Sequence, residues 1–211
     1  MTYANREHAG DVLADALAEY ADRDDLVVLG LVRGGVPVAA RVAATLHAPL
    51  DVLVVRKLGV PWAPEVAFGA VGPGGVAVHN PEVESHLSAS DMAGVLDAES
   101  DELRRREAVY RGGRTALSLA GKVAVIVDDG LATGATARAA AAVARQLGAA
   151  RVVVAVPVGA ADSLAQLRTE ADGVVCPLVP EYFGAVSRFY RSFPQTRDEE
   201  VITLLARGSV T

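Results

Sequence analysis

Runs of apolar residues alternate with helical patterns along most of this chain. Short continuous apolar runs are typical of buried strands, whereas apolar positions that recur every three or four residues indicate amphipathic helices. The runs predict strands at residues 26–31, 52–55, 123–127, 152–156 and 174–179. The helical spacing predicts helices at residues 6–21, 36–46, 90–111, 134–147, 163–170 and 198–205. Strands that alternate with helices predict an α/β fold, with a mostly parallel sheet flanked by helices.

One stretch interrupts this alternation. Residues 58–80 are rich in glycine and proline, which predicts a long loop followed by a β-hairpin around residues 72–75. The first part, residues 58–68, would be a lid or an interaction loop. We predict a single domain over residues 1–211. Its parts would be a core at about 22–180, an insertion at 70–115 and a tail at 181–211.

The amino-acid composition favours a folded domain and argues against several classes of protein. Hydrophobic residues make up 51% of the chain, enough for a buried core, and the net charge of −6 argues against a general binder of nucleic acids or membrane surfaces. Cys176 is the single cysteine and lies in an apolar run, which predicts a buried, unreactive thiol and no internal disulfide. No apolar run has the length of a membrane span, and no signal-peptide pattern is present, so we expect a cytoplasmic protein.

The strongest candidate site follows the predicted strand at 123–127. Asp128 and Asp129 come directly after this strand, and a turn of small residues containing Thr133 and Thr136 leads into a helix. Backbone N–H groups and the positive end of a helix can hold a phosphate, and carboxylates can accept hydrogen bonds from sugar hydroxyls. The threonines can also cap the helix. The pattern favours a ligand that carries both a ribose and a phosphate.

Two other strand ends carry cations. Arg33 precedes Gly34 and Gly35, whose lack of a side chain allows close backbone approach, and arginine can bind a phosphate through two hydrogen bonds. Arg56 and Lys57 follow the next strand. Ligands of parallel sheets bind beyond the carboxyl ends of the strands, so we expect these loops and the acid-containing turn to converge on one edge. For either cationic loop alone, an ordinary surface turn is an equally good interpretation.

Two clusters have competing interpretations. Five arginines lie within residues 104–114; they could contact a phosphorylated substrate, or form a solvated helix face paired with acids three or four residues away. The tail aromatics could stack on a flat base, or cover the sheet edge or a subunit contact. They are Tyr182, Phe183, Phe189 and Tyr190.

The acid-containing segment resembles the signature of the type I phosphoribosyltransferases. That signature is an apolar strand, two adjacent acids, and a small-residue loop with Thr-Gly-x-Thr at a helix start; residues 125–136 read VIVDDGLATGAT here. The loop at 32–35 is similar to the family's pyrophosphate loop, which often has a non-proline cis peptide, and this implies Val32–Arg33 as the candidate bond. The Arg56-Lys57 pair resembles the pair before the family's flexible catalytic loop. The nearest resemblance is to a bacterial subgroup of unassigned substrate.

The resemblance implies a pentosyltransferase that uses 5-phosphoribosyl-1-pyrophosphate and Mg²⁺ to ribosylate a nitrogenous, base-like acceptor, with release of pyrophosphate. Asp128, Asp129 and Lys57 would be catalytic, and the two acids would hold the ribose hydroxyls. Mg²⁺ would be held mainly by the ligand, without an assigned protein ligand. The pyrophosphate would be bound by Arg33, Gly34, Gly35 and Arg56. The 5′-phosphate would be bound by Gly130, Ala132, Thr133, Gly134, Ala135 and Thr136.

Other functions are left open by the sequence. A regulator with the same fold could sense the donor or a nucleotide without turnover, and the arginine cluster at 104–114 favours it. A hydrolase of the donor or a phosphorylase of ribosyl compounds is a weaker alternative. The expected partners are the donor and a small base-like molecule; a homodimer follows from the family resemblance alone. The interpretation requires accessible acids, so burial of both carboxylates in salt links would contradict it.

Overall fold

A five-stranded parallel sheet forms the centre of the protein. The computed structural model describes residues 2–116 and 118–208. The strands are β1 (Leu26–Leu31), β2 (Leu50–Leu53), β3 (Arg56–Val60), β4 (Ala63–Val71), β5 (Ala77–His79), β6 (Val123–Val127), β7 (Arg151–Ala155) and β8 (Gly173–Val175). The central sheet has the order β2-β1-β6-β7-β8, and β3, β4 and β5 form a separate antiparallel sheet. The predicted α/β fold is confirmed.

Helices cover both faces of the central sheet. They are α1 (Arg6–Ala16), α2 (Gly35–Leu46), α3 (Pro81–Glu84), α4 (Ala89–Arg111), α5 (Ala135–Gln146), α6 (Ala161–Leu167) and α7 (Asp198–Gly208). One buried cluster joins the sheet to α1, α2 and α7, and a second joins it to α5 and α6. Because both faces are covered, every residue of β1 and β6 is buried, which explains their unbroken apolar sequences.

The predicted lid at residues 58–68 is wrong in its secondary structure. These residues form most of the hairpin of β3 and β4, which turns at residues 61–62. The pairing contains register shifts around Gly59, and the buried side chains of Leu58 and Phe68 hold the hairpin against the core. Glycine and proline therefore mark an irregular, tightly turned hairpin instead of a loop. The hairpin predicted around residues 72–75 is confirmed as the connection of β4 to β5.

Most other elements differ from prediction by a few residues at their ends. The first helix stops at residue 16 and continues as a short 3₁₀ turn at 18–20, and the last strand is shorter than predicted and ends at residue 175. Within the described ranges, every helix is too short or too polar to cross a membrane. The predicted single domain also includes Met1, Leu117 and residues 209–211, which lie outside the described residues.

A buried arginine attaches the long helix α4 to the central sheet. Arg111 in the last turn of α4 forms ion pairs with Glu107 and, at 3.5 Å, with Asp51 of β2. Its guanidinium also donates a hydrogen bond of 3.0 Å to the Val52 carbonyl. The C-terminal end of the predicted insertion at 70–115 is therefore anchored to the core.

Candidate functional site

The loop after β1 touches the acid turn after β6. A Cβ atom placed on Gly34 would lie 2.1 Å from Oδ2 of Asp129, and one placed on Gly35 would lie 2.4 Å from the Val127 carbonyl oxygen. Only glycine fits such a close approach. The peptide bond between Val32 and Arg33 is cis, as the family resemblance implied. The predicted convergence of these two loops is confirmed.

The two acids are held close together in a partly buried environment. The backbone N–H of Asp129 donates to Oδ1 of Asp128 at 2.9 Å. Burial, and then the negative charge of Asp129, raise the pKa of Asp128 well above its usual range. Burial also raises the pKa of Asp129, although a nearby arginine opposes this effect. Two like charges this close disfavour double ionisation, so the pair is suited to share one proton.

That arginine is Arg6, which sequence analysis did not identify. Its Nε atom lies 2.8 Å from Oδ2 of Asp129, and both side chains are mostly buried. Asp128 forms no ion pair with any residue of the described ranges. Asp129 is thus in a salt link and Asp128 is not. Burial of both carboxylates in salt links would contradict a ligand site, and the described residues do not show it.

The threonine-containing turn presents the open start of α5. Gly134 is the N-cap residue, with φ of 74°, a left-handed conformation that favours glycine, and no side chain of the described chain caps the helix. The prediction that the threonines cap this helix is therefore wrong; Thr133 and Thr136 are exposed. Uncapped N–H groups at a helix start are suited to bind an anion such as phosphate.

The three predicted cations have different surroundings. Arg33 lies 3.6 Å from Asp198 at the start of α7, and Arg56 lies 2.6 Å from Glu99 of α4. Lys57 forms no ion pair within the part of the chain that the structure describes. It lines a cavity of about 430 Å³ together with Ala135, at the start of α5, and with other residues of α5 and the β4–β5 hairpin. The structure thus brings Lys57 to the helix start, whereas both arginines already contact acids of other elements.

Most of the arginine cluster forms a helix face paired with acids of the same helix, as the second interpretation predicted. Arg104 pairs with Asp101, Arg105 and Arg106 pair with Glu102, and Arg111 pairs with Glu107, all on the same helix. These are the three- and four-residue spacings expected of a helix face that balances its own charge. The cluster therefore presents less free positive charge than its sequence indicates, and it does not favour the regulator.

The aromatic tail covers the acid turn. The Tyr190 hydroxyl donates a hydrogen bond of 2.6 Å to the Asp129 carbonyl, and the ring packs 5.5 Å from that of Tyr3. Phe183 packs 5.7 Å from Phe189, whereas Tyr182 is 81% exposed. Three of these four aromatic side chains thus help to cover the edge of the sheet, whereas that of Tyr182 projects into solvent.

Comparison with known proteins identifies the family to which the chain belongs. The fold is that of a phosphoribosyltransferase-type α/β domain, and a profile of the family described as the phosphoribosyl transferase domain matches residues 3–191. The chain belongs to this family.

Three proteins are similar to this chain, and two of them carry the name of the family. Two proteins from two strains of Mycobacterium tuberculosis, provisionally named phosphoribosyl transferases, are each 53% identical over 208 residues. The match covers 98% of this chain but only 47% of each relative, so the chain spans about half of their length. The crystal structure of TT1426 from Thermus thermophilus is 42% identical, with a TM-score of 0.92 and complete coverage of both chains.

Proposed function

We propose that the protein transfers a 5-phosphoribosyl group from 5-phosphoribosyl-1-pyrophosphate to a nitrogen atom of a base-like acceptor and releases pyrophosphate. The observation that carries this proposal is the contact between the Gly34–Gly35 loop and the acid pair, next to the uncapped start of α5. The acids that would bind the ribose diol, the helix start that would bind the phosphate and the loop that would bind the pyrophosphate would then form one site at the carboxyl ends of the strands. Family membership supports the same reaction.

Each part of the donor has candidate partners in this arrangement. Asp128 and Asp129 would accept hydrogen bonds from the ribose hydroxyls, and the turn from Gly130 to Thr136 would bind the 5′-phosphate. The pyrophosphate would meet Arg33, Gly34, Gly35 and Arg56, with Lys57 approaching from the hairpin. Arg33 and Arg56 would have to exchange their present acidic partners, Asp198 and Glu99, for the ligand.

The residues also fit a magnesium ion that arrives with the donor. Mg²⁺ is usually bound by one or two carboxylates, water and substrate phosphates, instead of by a complete set of protein ligands. The described residues contain no group of three or more His, Cys, Asp or Glu side chains that could hold a metal. The partly buried acid pair can supply one or two oxygens. When bound, the ion would neutralise charge on the departing pyrophosphate.

The electrostatics of the acid pair suit the bond exchange. The bond between C1 of the ribose and the pyrophosphate oxygen breaks, and a bond from C1 to the acceptor nitrogen forms. Positive charge develops on the sugar ring in between, and a nearby carboxylate stabilises it more in the transition state than in the ground state. The nitrogen must lose a proton, which Asp128 or Asp129 could accept; Glu65 and Glu181 are weaker candidates.

Donor binding tests the site. Titration calorimetry with 5-phosphoribosyl-1-pyrophosphate and Mg²⁺ should detect binding to the wild type that the Asp128→Asn/Asp129→Asn double variant largely loses. Asp24→Asn/Asp25→Asn is the matched control, because these adjacent acids lie just before β1, at the opposite edge of the sheet. Unchanged affinity in the first variant would refute the site.

Turnover tests the reaction. Pyrophosphate release should be observed with at least one member of a panel of purine, pyrimidine and related bases. If the protein binds the donor but releases pyrophosphate with none of the bases, the result would support a sensor of the donor instead of a transferase. Release of pyrophosphate without any acceptor would support a hydrolase.

A further inference from the structure

The threonine-containing turn before α5 is attached to the loop that follows β7. Leu131, in this turn, forms an isolated parallel bridge with Gly159. The Leu131 N–H donates to the Val158 carbonyl, and the Leu131 carbonyl accepts from the Ala160 N–H, both at 2.9 Å. The loop leads directly into α6, which begins at Ala161. The start of α6 is therefore held beside the turn.

Ser163, in the first turn of α6, makes a further contact with the threonine-containing turn. Its hydroxyl donates a hydrogen bond of 2.6 Å to the Ala132 carbonyl, although the two residues lie 31 positions apart in sequence. A Cβ atom placed on Gly134 would lie 3.6 Å from the Cβ atom of Ser163, so this serine also lies against the N-cap residue of α5. The hydroxyl of one helix thus fixes the backbone that leads into another.

The same turn contains a run of backbone donors that are free to bind an anion. The N–H groups of residues 132–136 donate to no acceptor in the described part of the chain. Gly134 has a left-handed backbone, and successive N–H groups around such a residue can form a concave surface for an anion. The turn therefore suits a phosphate, provided that its carbonyl groups point away from the ligand.

The direction of one peptide group decides whether this part of the turn attracts or repels an anion. The described chain has a single cis peptide bond, at Val32–Arg33, so the bond between Ala132 and Thr133 is trans, and its C=O and N–H point in opposite directions. Because Ser163 holds the carbonyl oxygen on the side of α6, the Thr133 N–H points away from α6. A rotated peptide would present an acceptor oxygen to the phosphate in place of this donor.

We infer that Ser163 is a positioning residue for the 5′-phosphate of the donor: its hydroxyl fixes the Ala132–Thr133 peptide, so that the Thr133 N–H is directed at the phosphate. This inference rests on the proposed function and deepens it, because it concerns the phosphate-binding turn of the proposed site. Ser163 acts through the backbone and does not itself contact the ligand. Its effect is confined to the 5′-phosphate, since other loops would bind the pyrophosphate.

The test compares two ligands that each represent one end of the donor. Ribose 5-phosphate carries the 5′-phosphate, and pyrophosphate with Mg²⁺ represents the leaving group. Calorimetry should show that Ser163→Ala binds ribose 5-phosphate about 2- to 10-fold more weakly than the wild type, the range that corresponds to the net contribution of one neutral hydrogen bond. The donor should lose affinity by a similar factor, whereas pyrophosphate should bind as it does to the wild type. Ser163→Thr keeps the hydroxyl and should retain most of the affinity.

Ser85→Ala is the matched control. Ser85 also donates to a backbone carbonyl, that of Glu82 at 2.8 Å, at the end of α3. Its substitution removes the same kind of hydrogen bond away from the threonine-containing turn, so this variant should bind all three ligands like the wild type.

Three results would overturn the role of Ser163 and leave the proposed function intact, as long as the wild type binds the donor. The first is wild-type affinity of Ser163→Ala for ribose 5-phosphate. The second is an equal loss of affinity for pyrophosphate, which would indicate a general disturbance of the site. The third is a loss in Ser163→Thr as large as that in Ser163→Ala, which would assign the effect to packing instead of the hydroxyl. A wild type that binds no donor would overturn the proposed function and this role together.

Discussion

Glycines at positions 34 and 35 let the backbone of one loop touch the acids of the next. At Gly34 the obstacle to a side chain is the Asp129 carboxylate itself, whereas at Gly35 it is the backbone at the end of β6. A carboxylate can rotate away, but a strand end in the central sheet cannot move without disturbing its neighbours. At the residue scale, Gly35 is therefore the stricter requirement of the two.

We expect Gly35→Ala to destabilise the fold and to weaken donor binding. The added Cβ would lie 2.4 Å from the Val127 carbonyl oxygen and 2.8 Å from Cα of Asp128, so the loop must move away from the acids. Overpacking of this kind costs about 1–3 kcal/mol, which urea unfolding measures, and calorimetry measures the donor affinity.

Gly94→Ala is the control for this substitution. It lies in α4 with open space where the added Cβ would stand, and alanine in a helix should stabilise the protein by about 0.5–1 kcal/mol. If Gly35→Ala matched the wild type in both stability and affinity, the close approach of the two loops would not matter to the site.

Elements buried on both faces were predictable, and irregular ones were not. The strands β1 and β6 read as unbroken apolar runs because helices cover both sides of them. The β3–β4 hairpin contains glycines, prolines and register shifts, which weaken the alternating pattern by which a strand is recognised. A hairpin of this kind depends on tertiary packing, here of Leu58 and Phe68, that local sequence does not encode.

The tip of this hairpin is the element that we expect to close over the site. Trp62 is the only tryptophan of the chain, lies at the turn and is 66% exposed, and Lys57 lies in the first strand of the same hairpin. Closure would exclude water from the reacting sugar and move the indole into a less polar environment. Its fluorescence maximum should then shift to shorter wavelength when donor and Mg²⁺ bind.

The single tryptophan makes this measurement direct. Trp62→Phe provides the blank, because any remaining signal change would come from the ligand or from tyrosine. An unchanged emission maximum at a donor concentration that calorimetry shows to be saturating would mean that the hairpin tip does not close.

At the scale of the whole molecule, the N-terminal segment and residues 189–192 of the tail meet over the acid turn. Backbone hydrogen bonds join Tyr3 to Phe189 and Arg191, at 2.8 and 2.9 Å. The acid turn, the glycine loop and Lys57 could be found from sequence, because each follows a recognisable strand. Arg6 could not, since it lies 123 residues from Asp129 and nothing in the helical pattern around it distinguishes it from a surface arginine.

The Tyr190 hydroxyl tests whether this contact between the N-terminal segment and the tail supports the site. Its bond of 2.6 Å to the Asp129 carbonyl is partly buried, so Tyr190→Phe should cost about 1–3 kcal/mol by leaving the carbonyl with one donor fewer. We also expect weaker donor binding, because the hydroxyl fixes the backbone of the acid. Tyr182→Phe, at an 81% exposed ring, should change neither stability nor affinity.

The pH dependence of donor binding distinguishes an effect on the position of Asp129 from an effect on its charge. Burial raises the pKa of Tyr190 far above its usual value, so its hydroxyl remains a donor throughout the range in which carboxyl groups titrate. The affinity lost in Tyr190→Phe should therefore be the same at pH 7 and pH 9. Reduced stability with wild-type affinity would make the tail a structural cover only. A loss that recovered at high pH would mean that the tail acts through the charge of Asp129, and not through its position.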